Sequence, residues 1–119
     1  MNWFIAKIVF RIICGDGQHT AQFDEQLRLL AAASPEEAFR KAVETGQQEE
    51  DSFFNKKQQL VQWQFVNVSE LFRLSEFTDG AELHSRIEEK ENAGDYIEFV
   101  HNKAAQIQNG QLNTLLQLV

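Results

Sequence analysis

Residues 3–14 admit few folds. Phe4, Ala6, Ile8, Phe10, Ile12 and Cys14 recur at every second position, so in a strand they share one wholly apolar face. The opposite face carries Trp3, Ile5, Val9 and Ile13, broken by Lys7 and Arg11. A strand with one apolar side and one mostly apolar side belongs inside a sheet, covered on one side and half covered on the other. The two cations also interrupt the apolar run that a signal peptide or membrane span needs, and no basic stretch precedes it. The expectation is a cytoplasmic protein with no membrane contact.

Gly15-Asp16-Gly17 is turn chemistry, and residues 20–32 read as a second strand. Ala21, Phe23, Leu27, Leu29 and Ala31 share one face of it, with Glu25 the exception. Gln22, Asp24, Gln26 and Arg28 share the other, which reads as the outer face of a sheet edge. A helix follows. Ser34 can cap it by accepting from Glu37 N–H, the Glu37 carboxylate can return to Ser34 N–H, and Pro35 fits the first turn. Ala38, Phe39, Ala42 and Val43 make its apolar stripe. Gly46 is placed to end it. Alternatively the helix runs on through residues 47–51, with Phe53 and Phe54 anchoring the exit.

Residues 60–74 read as a long third strand whose apolar set changes face at Phe65-Val66. A β-bulge explains that change, and so does a strand covered by different elements along its length. Thr78-Asp79-Gly80 is a hairpin turn leading to a fourth strand, in which Glu82, His84, Arg86 and Glu88 face outward. Residues 88–91 are a charged connection. Asp95 is a candidate cap for a second helix carrying Ile97, Val100, Ala104 and Ile107, and Gly110 can stop it. The expected fold is α+β: a ββαββ domain over residues 1–91, with a four-stranded antiparallel sheet in the order 2-1-3-4, one helix on a face, and a C-terminal helical segment at 92–119. That segment belongs either to the same compact unit or to an oligomer contact.

At 119 residues this is one domain by size, able to bury roughly 65% of its unfolded surface. A net charge of −7 argues against a nucleic-acid partner, which requires clustered cations. With one cysteine there is no intrachain disulfide and no two-cysteine zinc knuckle.

Candidate chemistry is sparse. Cys14 beside His19 resembles a nucleophile and base, yet Cys14 falls on the buried face of its strand and no third orienting group is identifiable. His19, His84 and His101 match no local metal-ligand spacing. The Glu82, His84, Arg86, Glu88 row offers acid/base groups or a polar contact surface, against the plainer reading of an edge protected by charge.

An aromatic-rich first strand (Trp3-Phe4), the helix start Ser34-Pro35-Glu36-Glu37-Ala38, the strand Trp63-Gln64-Phe65-Val66-Asn67-Val68 and the stretch 79–86 occur in this order over residues 3 to about 88. In this the chain resembles a small bacterial domain-of-unknown-function family, DUF4288. The resemblance implies a compact α+β domain and assigns no activity and no catalytic residue.

The functional expectation is a non-enzymatic bacterial domain acting through protein contacts and self-associating as a homodimer or other homo-oligomer, with a further protein partner possible. Its expected interaction surface is Trp3, Trp63, Glu82, His84 and Arg86, with no catalytic residue, metal or cofactor. The second helix and the leucine-bearing tail at 111–119 are expected to contribute to self-association, since Trp3, Ile5 and Val9 need a cover. The alternative is a small-molecule-binding domain or enzyme, with its pocket between sheet and helix or at a subunit interface.

Overall fold

The alternation in residues 3–14 becomes the centre of the sheet. In the computed structural model, which describes residues 1–110, the elements are β1 (Asn2–Cys14), β2 (Gln22–Ala32), α1 (Pro35–Gln48), β3 (Asp51–Phe54), β4 (Leu60–Arg73) and α2 (Ala93–Gln108). β1 pairs antiparallel with β2 on one side and β4 on the other, and β3 pairs antiparallel with β4. The sheet order is β2-β1-β4-β3. The chain divides into two compact units, Met1–Ser85 and a second that begins at Arg86.

The α+β class and the four-stranded antiparallel sheet stand, but the order 2-1-3-4 is corrected to 2-1-4-3. The strands after α1 are 51–54 and 60–73, not 60–74 and 81–88. The Thr78-Asp79-Gly80 turn does form: Ala81 N–H donates to Thr78 C=O at 3.0 Å, with Gly80 at φ +82°. No ladder follows it: residues 81–88 form no strand, and β3 pairs only with Leu60–Trp63 of β4. Asn55 Oδ1 accepts from Lys57 N–H and Gln59 N–H, closing a tight loop that returns Phe53 and Phe54 alongside Val61 and Leu60.

β4 carries the expected bulge and a second one. Its register against β1 shifts between Val9 and Phe10 and between Lys7 and Ile8, leaving Val66 and Ser69 as extra residues. The first shift flips the alternation and the second restores it. Phe65, Val68 and Leu71 therefore all pack with the core face of β1, although no single period of two joins them.

That core face holds Phe4, Ala6, Ile8 and Phe10, all essentially sealed from solvent. Burying each of the three large side chains contributes about 1.5–3 kcal/mol before entropy is counted. α1 supplies small residues against them. Its buried positions are Ala38, Ala42 and Gly46, whereas Phe39 is exposed. Gly46 does not end the helix, which continues to Gln48 with Glu49 as its cap. At the other end Ser34 Oγ accepts from Glu37 N–H at 3.2 Å. The Glu37 carboxylate returns one residue earlier than expected, to Ala33 N–H at 3.1 Å.

In the second unit Asn92, not Asp95, caps α2, accepting from Asp95 N–H at 3.0 Å. Gly110, at φ +85°, follows its end. No residue of α2 is buried, and Tyr96, Ile97, Phe99, Val100 and Ile107 are exposed. The expected role of residues 111–119 in self-association lies outside the described residues.

Candidate functional site

The register of β1 and β2 decides which side chains share a face. Phe10 pairs with Asp24, Ile8 with Gln26, Ala6 with Arg28 and Phe4 with Leu30. Directly paired residues point the same way, so the even-numbered residues of β2 lie on the helix side of the sheet. Leu30 and Ala32 are buried there. The polar face of β2 is thus not the outer one, and its apolar residues Phe23, Leu27 and Leu29 are exposed on the opposite face. A signal for this existed in the sequence. The helix starts three residues after Ala32, so the small and apolar residues immediately before it had to lie beneath it.

On the helix side the polar residues form one hydrogen-bonded strip. Trp63 Nε1 donates to Asp24 Oδ2 at 3.0 Å, and Gln26 Nε2 donates to the same oxygen at 2.6 Å. Arg28 Nε and Nη2 donate to Gln26 Oε1 at 3.1 and 2.7 Å, and Arg28 Nη1 lies 3.9 Å from Glu49 Oε1. Phe53 stacks beside Trp63, with ring centroids 6.1 Å apart. Every group here satisfies its neighbour. The strip orders a polar surface and leaves no side chain poised as an acid or base.

The other face of the sheet is open at β2 and partly roofed toward β4. Trp3 stacks on Phe77 at 6.3 Å, and His84 stacks on Phe72 at 3.6 Å between ring centroids. Ile5 is buried beside them. The segment after β4 therefore supplies part of the cover that this face requires. Trp3, Phe23, Leu27 and Leu29 remain between 44% and 64% exposed.

The expected interaction residues are consequently separated. Trp3 and His84 belong to the open face and Trp63 to the helix side. Glu82, His84 and Arg86 lie in no strand, so the alternation that would align them is absent, and Arg86 begins the second unit.

Cys14 and His19 do come close. His19 Nε2 accepts from Cys14 N–H at 3.0 Å, and Nδ1 lies 2.8 Å from Thr20 C=O. Nε2 as acceptor requires Nδ1–H as donor, so both ring nitrogens are committed to the main chain. The thiol has other neighbours, Gln59 Oε1 at 3.6 Å and Asn55 Nδ2 at 3.7 Å. Imidazole and thiol are adjacent without forming a base–nucleophile pair. The shallow hollow beside them, about 500 Å³, is lined by polar residues such as Asp16, Gln18 and Gln22. Among the described residues, no group of three or more His, Cys, Asp or Glu side chains is arranged to hold a metal ion. No helix among them is long and apolar enough to cross a membrane.

A family model described as a domain of unknown function (DUF4288) matches residues 3–85. No curated protein and no solved structure matches the chain.

Proposed function

The chain belongs to the DUF4288 family of domains of unknown function, and from that premise we propose that it is a non-enzymatic domain that works through protein contacts and associates with itself. The observation that carries this reading is the open sheet face, where Trp3, Leu27 and Leu29 stand exposed near the buried Ile5 and Phe23 is exposed further along β2, opposite Arg11. Apolar side chains grouped on one face favour a partner surface over water. The exposed aromatic and aliphatic residues of α2 offer a second surface of the same kind. A single cysteine with no disulfide partner fits a reducing, cytoplasmic setting. The polar strip and the committed His19 ring support recognition over catalysis.

Mass measured by light scattering across a concentration series tests the proposal. The expected result is a mass that rises to that of a dimer or higher assembly, and falls toward the monomer when Leu27→Glu and Leu29→Glu are combined. A wild-type monomer at every concentration refutes self-association.

A further inference from the structure

The outer edge of β2 has a defined pattern of free backbone groups. Leu74 N–H donates to Trp3 C=O at 2.9 Å, so the backbone groups of Trp3 point toward the β4 side. Its β2 partner, Ala31, must then direct its own N–H and C=O away from β1. Lys41 Nζ bears this out by donating to Ala31 C=O from α1. The β1–β2 register runs without a shift, so Leu29, Leu27, Glu25 and Phe23 present their N–H and C=O at the same outer edge. Among the described residues no strand pairs there.

We propose that two copies of this chain join β2 to β2 in one continuous antiparallel sheet, in the register that sets Gln26 opposite Gln26 of the second copy. This deepens the self-association reading and rests on it.

Of the symmetric registers that set outward residues of both copies opposite one another, those centred on Asp24 and on Arg28 place like charges face to face, which leaves the three between them. Centring on Glu25 sets two carboxylates face to face. Centring on Leu27 pairs Phe23 with Ala31, whose carbonyl is occupied by Lys41, and sets Asp24 opposite apolar Leu30. Centring on Gln26 does neither. It pairs Phe23 with Leu29 and Glu25 with Leu27, and each such pair exchanges two main-chain hydrogen bonds. On the helix side it sets Asp24 opposite Arg28 of the second copy twice, once on each side of the axis. Charges that would otherwise protect an edge from pairing become complementary in this register alone. The two polar strips then run together across the junction, and the exposed Phe23, Leu27 and Leu29 of both copies gather on the open face.

The centre of this register is a non-hydrogen-bonded pair, whose Cβ atoms lie about 4.5–5.5 Å apart, near the separation that a disulfide bridges with a small adjustment. Gln26→Cys in a Cys14→Ser background should therefore oxidise to a covalent dimer, whereas Leu27→Cys in the same background should not. Asp24→Arg and Arg28→Asp each place like charges opposite one another. Each variant alone should lose the dimer mass, and an equimolar mixture of the two should regain it, since both cross-strand pairs are then complementary. A wild-type protein that stays monomeric overturns both this register and self-association. A wild-type dimer without the Gln26→Cys cross-link overturns the register and leaves association through the open face standing.

Discussion

Phe65 of β4 lies directly on Gly46 of α1. A Cβ built on Gly46 overlaps Cδ1 and Cε1 of that ring and meets Ile8 Cγ2 at 3.1 Å. The glycine has ordinary helical geometry, so it is required by close approach and not by backbone conformation. Replacing it with alanine adds helix propensity, worth about 1 kcal/mol, but forces the ring out of a site it shares edge-on with Phe10. Overpacking of this kind costs about 1–3 kcal/mol. Gly46→Ala should lower stability to urea, and Phe65→Leu combined with it should recover part of the loss. Strictly additive effects in that double-mutant cycle would show that the two sites do not press on one another.

Phe10 is the most demanding position of the central strand. Its ring is 1% exposed and packs edge-on against Phe65. Phe10→Ala should cost about 3–5 kcal/mol. Phe10→Asp should leave no cooperative transition, because it buries a carboxylate directly opposite Asp24, whose own donors Trp63 and Gln26 are already engaged. Thermal unfolding followed by circular dichroism distinguishes the cases. A folded Phe10→Asp protein would mean that β1 is not the innermost strand.

Trp63 anchors the polar strip by one bond. Trp63→Phe keeps a ring beside Phe53 but removes the donor to Asp24, which retains Gln26 as a partner. The loss should be about 1 kcal/mol, the scale of a single partly exposed hydrogen bond. Trp63→Ala removes the ring contact as well and should cost clearly more. Equal losses by chemical denaturation would show that the indole N–H contributes nothing.

What the sequence reveals is set by range. The central strand, the Ser34 cap and the Gly110 stop are local signals, and each appears where residues a few positions apart specify it. Even the change of face at Phe65-Val66 is visible, because a bulge disturbs a local alternation. Three features depend on what lies across the sheet. Gly46 looks like a terminator until Phe65 is seen to occupy its missing Cβ. Asp24, Gln26 and Arg28 look solvent-facing until their pairing with Phe10, Ile8 and Ala6 carries them to the helix side. Residues 81–88 alternate like a strand, yet past the turn at Thr78-Asp79-Gly80 the segment meets β4 through the stacked rings of Phe72 and His84 and forms no ladder. The alternation that was to align Glu82, His84 and Arg86 depended on that strand, which does not form.

Which segment pairs with β4 can be tested directly by amide hydrogen exchange. β3 pairs Asp51 to Trp63, Ser52 to Gln62, Phe53 to Val61 and Phe54 to Leu60, whereas residues 81–85 lie outside the sheet. Exchange protection tracks the free energy of opening a hydrogen bond, so β1 and the paired part of β4 should be slowest. Amides in 51–54 that donate to β4 should exchange measurably more slowly than those of 82–85. Asn55→Ala removes the acceptor that turns the chain after β3. It should accelerate exchange in 51–54 while leaving β1 and β2 protected. Slow exchange across 82–85, unchanged by Asn55→Ala, would show that the later segment is hydrogen-bonded as a strand after all.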